Sequence, residues 1–229
     1  METKGTFYKD IFELKELGKN ECQIIYTPYS YLTSKTRNEL GTGVACFKDK
    51  KIAAEHEIIH PELNERFIIN KKVEESEIPS DKYFFEAEKP LSEQNEYIKN
   101  CIFDSYSLQV LFQFEFRRLN TVLDRKILEE KIPDAKTFLT EEYQKFYDEK
   151  KEILLRLKDG KEFVNFITEQ TETNSRDIAS AFICWTGIYG MKADGKHYDF
   201  DYLLYDFSEH SLPTGIKLFN QDTLEEIEW

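Results

Sequence analysis

The sequence predicts an α+β fold, with a small antiparallel sheet from N- and C-terminal segments packed on a helical middle. Three observations predict it. Short alternating runs broken by Gly, Pro and Asn lie near both ends of the chain. Between them, residues 97–128 contain neither Gly nor Pro and are rich in Leu, Phe and Val. The 40% hydrophobic and 14% aromatic content of the 229 residues supports a packed core. We expect one folding unit: a sheet-rich part at 1–90, a helical part at 91–170, and a returning helix and strands at 171–229.

In chain order, residues 6–17 place Phe7, Ile11, Phe12, Leu14 and Leu17 at helical spacing, stopped by Gly18. Residues 22–26 read as a strand. Pro28, Asn38, Gly41 and Gly43 mark loops, and 44–47 a second strand. Ile52, Ala53, His56 and Ile59 predict a helix over 51–60, ended by Pro61. Residues 66–70 and 83–87 read as further strands. The stretch 74–96, acid-rich and holding Pro79 and Pro90, reads as a solvated, negative connection.

The apolar stretch is ambiguous between two periods. Leu108, Val110, Phe112, Phe114 and Phe116 alternate as in a strand, while Leu108, Phe112, Phe116, Leu119 and Leu123 form a helical stripe. Unbroken length favours one helix over 93–131, with a strand at 106–117 as the alternative. After Pro133, Thr140 is expected to cap a helix carrying Glu141 and Glu142 in its first turn and Arg156 and Lys158 in its last. Helices at 161–169 and from Ser175 to Gly187 follow. Tyr198, Phe200, Tyr202 and Leu204 then share a strand face, and 215–219 form a last strand.

The 31 basic and 44 acidic residues give a net charge of −13. Binding to a nucleic acid backbone is driven by Lys and Arg, so direct binding is not expected. An acidic surface instead favours encounter with basic surfaces. Glu74, Glu75, Glu77, Asp81, Glu86 and Glu88 are the candidate binding residues, and acids also cluster over 194–228. The four cysteines are dispersed without a CxxC pair, which fits a reducing cytoplasm. No run reaches the 18 or so apolar residues of a membrane span, and Met1 is not followed by an apolar signal core.

Three local patterns carry possible chemistry. His56-Glu57-Ile58-Ile59-His60 resembles the HExxH of the zinc peptidases called zincins. The resemblance implies zinc held by His56 and His60, with Glu57 as general base on a zinc-bound water. Residues 95–100 resemble the downstream glutamate motif of one zincin branch, with Asn100 where Asp is usual. The pattern departs from that family at Pro61, which disfavours helical geometry at His60, and at the charged neighbours Glu55 and Glu62.

Asp199 and Asp201, alternating on an expected strand, resemble the acidic strand of nucleotidyltransferases, although Gly190 is followed by Met191 rather than Gly or Ser. Arg37, Gly41, Gly43, Phe47 and Glu57 resemble the Arg-and-Glu architecture of small NAD-consuming toxin domains, without the later serine at 187–192.

No catalytic constellation is complete. The leading expectation is a cytosolic, acidic interaction or inhibitor protein with no cofactor. It would engage a basic, nucleic-acid-handling protein such as a nuclease in bacterial or phage conflict, as anti-CRISPR or immunity proteins do. The Asn-, Lys-, Ile- and Glu-rich composition fits an AT-rich bacterium or its phage. The alternative is a zinc-dependent hydrolase centred on 56–60.

Overall fold

The computed structural model describes residues 22–29, 35–56, 58–60, 65–67, 72–104, 106–171, 174–205, 217–220 and 222–227. The fold is α+β. Its strands are β1 (Cys22–Tyr29), β2 (Lys35–Asn38), β3 (Gly41–Cys46), β4 (Ile58–His60), β5 (Glu65–Phe67), β6 (Lys72–Pro79), β7 (Phe85–Glu86), β8 (Gly190–Lys192), β9 (Tyr202–Leu204), β10 (Lys217–Asn220) and β11 (Glu226–Ile227). Its helices are α1 (Lys50–Glu55), α2 (Glu96–Phe103), α3 (Tyr106–Glu130), α4 (Ala135–Arg156), α5 (Gly160–Gln170) and α6 (Arg176–Trp185).

The expected single sheet is two. One is four-stranded in the order β1-β6-β10-β11; the other is five-stranded in the order β2-β3-β9-β8-β7, antiparallel except for the β7–β8 pair. A two-stranded ribbon joins β4 and β5. As expected, both larger sheets interleave N- and C-terminal segments.

The five-stranded sheet is a central layer, buried on both faces. Val44 and Cys46 of β3 and Tyr202 and Leu204 of β9 pack toward Ile25 and Ile78 of the four-stranded sheet, with Tyr83 and Phe84. The alternate residues Ala45 and Leu203, with Phe47 and Tyr205, join the larger cluster that contains Phe112, Phe163, Ile167, Ala179 and Ile183 of the helices. Period-two alternation therefore sends apolar groups both ways, as a sheet covered on both sides requires. Gly43 lets β9 come close: a Cβ there would lie 2.5 Å from the Leu204 carbonyl oxygen.

The helical middle differs from the single helix expected over 93–131. α2 starts at Asn95, whose side chain accepts from Ile98 N, and ends at Asp104, after which α3 begins. The break frees the two segments to pack differently, with Ile98 and Ile102 of α2 and Leu108, Leu111 and Phe112 of α3 all in the larger cluster. The strand alternative at 106–117 is not realised; packing of Phe112 and Phe116 against α4 selects the helical stripe. α4 starts earlier than expected because Asp134 accepts from Thr137 N (3.0 Å) and takes the cap. Thr140 lies inside the helix and donates back to the Lys136 carbonyl. Lys150, mostly buried, ties three helices: its Nζ is 2.7 Å from Glu115 Oε1 of α3 and 2.8 Å from Gln170 Oε1 of α5. α5 and α6 fall close to expectation; Asp159 caps α5 through Glu162 N, while Ser175 stands at the α6 N-cap without a side-chain bond.

The expected solvated connection at 74–96 is the largest correction. Its first part is β6, which pairs along its full length with β1 and also with β10. Val73, Ser76 and Ile78 are buried in it, as are Tyr83, Phe84, Phe85, Leu91 and Gln94 beyond it. The acids obscure a strand whose buried residues do not keep one phase: Val73 joins the larger cluster, and Ser76 and Ile78 are buried in the other phase. Residues 83–87, expected as one strand, split into a 3-10 turn at Asp81–Tyr83 and the short β7. The expected helix over 51–60 stops at Glu55, and the expected strand from Tyr198 starts only at Tyr202. The expected helix at 6–17 lies outside the described residues, as do parts of the expected strands at 66–70 and 215–219. No helix among the described residues is long and apolar enough to cross a membrane.

Gly43→Ala is expected to lower unfolding free energy in urea by more than about 2 kcal/mol, because the added methyl meets backbone rather than a yielding side chain. Phe112→Ala is expected to cost about 3–5 kcal/mol. Near-wild-type midpoints for both would contradict the central-layer packing.

Candidate acidic interface

The six candidate acids of 74–88 do not form one solvated row. Glu75 on β6 lies opposite Tyr26 of β1 and Lys217 of β10, and Ser76 Oγ donates to Glu74 Oε1 (3.2 Å). Glu77 is exposed beside exposed Ile24. Glu86 pairs with Lys89 at 2.7 Å.

Asp81 turns inward. Its Oδ1 accepts from Tyr202 Oη (2.5 Å) and Gln23 Nε2 (3.1 Å), and its Oδ2 from Lys192 Nζ (2.7 Å). Tyr202 Oη also lies 3.0 Å from Gln23 Oε1. These groups come from both sheets, so the network pins the sheets together at one end. Burial alone would raise the Asp81 carboxyl; the bonds from Lys192, Tyr202 and Gln23 outweigh it and hold its pKa at about 2. Burial and the Asp81 charge push the Tyr202 phenol up.

Glu88 meets the second acid-rich stretch. Its Oε1 accepts from Asp194 N (3.1 Å), and Asp194 Oδ1 accepts from Lys196 N (2.8 Å) and His197 N (3.3 Å). One ligand atom from each of Glu88, Asp194 and His197 falls within a group 4.8 Å across, so the three are the candidate cation ligands among the described residues. The backbone N–H groups that Glu88 and Asp194 accept from hold this loop, and His197 Nδ1 lies 3.5 Å from Asp194 Oδ1. Burial raises the Glu88 pKa, and the neighbouring Asp194 charge adds to it. Nearby, Glu39 accepts from Tyr198 Oη (3.0 Å) and pairs with Lys161 (2.6 Å). Burial and the carboxylates of Glu39, Asp159 and Glu88 all push the Tyr198 phenol up.

The zincin and nucleotidyltransferase readings lose the geometry they need, while the Arg37–Glu57 arrangement of the NAD-consuming reading involves a residue outside the described ones. His56 is the extended C-cap of α1 (φ −69°, ψ 126°), and His60 belongs to β4. The two residues are therefore not one turn apart on a helix, as zincin chemistry requires. Pro61 and the early helix stop account for this. Glu57 lies outside the described residues. His56 packs on Phe47 (ring centroids 4.8 Å apart), with Nδ1 3.8 Å from Asp199 Oδ2.

Asp199 and Asp201 precede β9 rather than alternating along it, and they serve different partners: Asp201 Oδ2 accepts from Lys48 N (2.7 Å). Arg37 pairs with Asp177 of α6 (2.5 Å), which also accepts from Thr42 Oγ1. Gly41, at φ 112°, makes room for Ser180 and Tyr205, and Thr42 N donates to Ser180 Oγ (3.0 Å). These bonds dock the β2–β3 hairpin on α6. Among the described residues, Cys46, Cys101 and Cys184 are not in disulfides.

The sequence reading missed the Asp81 network and the Glu88–Asp194 contact. Alternation at Tyr202 gave one available signal, since a tyrosine on a buried strand face needs a partner for its hydroxyl.

Two outcomes are expected. The Asp81 carboxyl titrates lower in the folded chain than in the unfolded one, so its stabilisation is present above about pH 4 and lost as pH falls toward about 2. Asp81→Asn should therefore cost about 1 kcal/mol at pH 7, after allowing for solvent screening of a half-exposed carboxylate, and nothing near pH 2. Equal destabilisation at both pH values would show that the network acts by packing alone. By elemental analysis, protein purified without a histidine tag should carry well under one zinc per chain. Stoichiometric zinc lost in His56→Ala would restore the HExxH reading, and zinc lost in His197→Ala would place a metal at the Glu88 cluster. No known family model, curated protein or solved structure matches this chain.

Proposed function

We infer that the chain is an acidic binding protein whose sheet-and-loop body engages a basic protein surface of the kind that receives a nucleic acid backbone. On this reading it acts as an inhibitor or immunity-type partner, not as a catalyst.

The observation that carries the reading is where the charge sits. Residues 106–158, which include the α3–α4 hairpin, hold eleven basic and ten acidic side chains, so the whole net charge of −13 belongs to the rest of the chain. There the two acid-rich stretches come together: β6 pairs with β10, and Glu88 bonds to Asp194. Local pairing does not cancel this field. Asp81 with Lys192 and Glu39 with Lys161 neutralise single acids, while the excess acids set the potential that a partner meets. A basic groove would gain long-range attraction, and the bonds already made within the body keep its acids in place as the partner docks.

The test is competition on a nuclease with an exposed basic groove. The protein should displace DNA from that groove, and its affinity should fall more than tenfold between 50 and 300 mM salt. Charge reversal at Asp199, whose side chain is 80% exposed, or at Glu77 should slow association without changing the thermal midpoint. Binding that is indifferent to salt and to both reversals would reject the electrostatic reading.

A further inference from the structure

Lys150 is set apart by what surrounds it. It lies in the second half of α4, with its side chain only 12% exposed. Its Nζ is 2.7 Å from Oε1 and 2.6 Å from Oε2 of Glu115 on α3. The same nitrogen donates to the side-chain carbonyl of Gln170, the last residue of α5, at 2.8 Å. The ring centres of Phe146 and Phe166 lie 5.1 and 5.7 Å from it. Behind them Phe116 packs on Phe146 and Phe112 on Phe166. Glu115 Oε2 is buried without a hydrogen bond among the described residues, so that oxygen is open to a proton. An amine, a carboxyl and a carboxamide therefore meet in one aromatic-lined contact. They are the nucleophile, the proton carrier and the acyl carbon that amide exchange requires.

We propose that Lys150 and Gln170 join in a self-catalysed isopeptide bond, with Glu115 as the proton carrier. One proton of the Lys150 ammonium passes to Glu115, which leaves a neutral amine. The Nζ lone pair then attacks Cδ of Gln170. As the tetrahedral centre collapses, Glu115 returns its proton to Nε2. The new Nζ–Cδ bond stays, the Cδ–Nε2 bond breaks, and Nε2 departs as ammonia. The second proton lost from Nζ leaves with it. Lysine ammonium and glutamine amide thus become isopeptide and ammonium ion; Glu115 is regenerated, and nothing is oxidised or reduced. The distances suit the step. A carbonyl bond of about 1.2 Å beyond the 2.8 Å contact puts Cδ within about 4 Å of Nζ, and attack needs about 3–3.5 Å. Small changes in the Gln170 side-chain torsions close that gap. The aromatic walls keep bulk water from competing as the nucleophile. The product ties α4 to α5 across a separation of 20 residues, and such a closure removes freedom from the unfolded chain.

The test is the intact mass of the full chain, followed during incubation at neutral pH. A species one ammonia lighter than the sequence is expected, with a share that grows with time and persists in denaturant. Proteolysis should give one branched peptide that joins the segments around Lys150 and Gln170, with no tryptic cleavage after Lys150. Lys150→Arg and Glu115→Gln should both keep the full mass. Glu115→Gln preserves side-chain shape, and its far-ultraviolet circular dichroism reports whether the fold survives; Gln170→Ala, at a half-buried helix end, is the second such control. A wild-type chain that keeps its full mass throughout would overturn the proposal. So would an ammonia loss that maps to an asparagine, that persists in Lys150→Arg or Gln170→Ala, or that is undiminished in folded Glu115→Gln.

Discussion

The β3–β9 pair governs this structure because it is covered on both sides. Val44, Cys46, Tyr202 and Leu204 face one cluster, and Ala45, Leu203 and Tyr205 the other. Few strand residues are needed, since each one works in a core. Gly43 and Gly190 allow the backbones of β3, β8 and β9 to approach within contact that a side chain would block. The four-stranded sheet packs on one face and the helices on the other, so neither layer could shift without opening the middle. Polar groups close the margins. Asp81, Gln23, Lys192 and Tyr202 tie the two sheets, and Arg37, Thr42 and Asp177 tie the β2–β3 hairpin to α6.

Acidic residues act here on two length scales. At contact distance many are ordinary structural acceptors: Asp134 and Asp159 cap helices, Asp194 closes a loop, Asp201 holds Lys48 N, and Asp81 bridges the sheets. Beyond contact distance they sum to a field, because basic residues elsewhere in the body do not match them in number. A residue can serve both roles. A carboxylate fixed by backbone N–H groups keeps its charge and costs little further entropy when a partner arrives.

The helical hairpin contrasts with the body in charge, burial and packing. Its base is clamped by Lys150 between Glu115 and Gln170 and by Phe112 against Tyr147 and Phe166. Its outer half has no such anchor, and among the described side chains of 117–146 none is buried. α3 itself runs on without a break from the buried aromatic base into this exposed, charge-rich half.

What the amino-acid order determined by itself was the class of fold and the local elements with strong end signals. Pro133 between α3 and α4 and Gly187 after α6 mark boundaries by chemistry that acts within a few residues. Interleaving of the two ends of the chain was also legible, from alternation at both ends. Tertiary structure decided the rest. β6 is a strand because β1 and β10 satisfy both of its edges, although its acids read as a loop. Residues 106–117 are helical because α4 offers rings to Phe112 and Phe116, where period alone left two answers. His56 and His60 parted because the helix stopped at Glu55 and strand pairing with β5 took His60. In each case hydrogen-bond partners and apolar neighbours distant in sequence outweighed a local preference worth about 1 kcal/mol or less per residue.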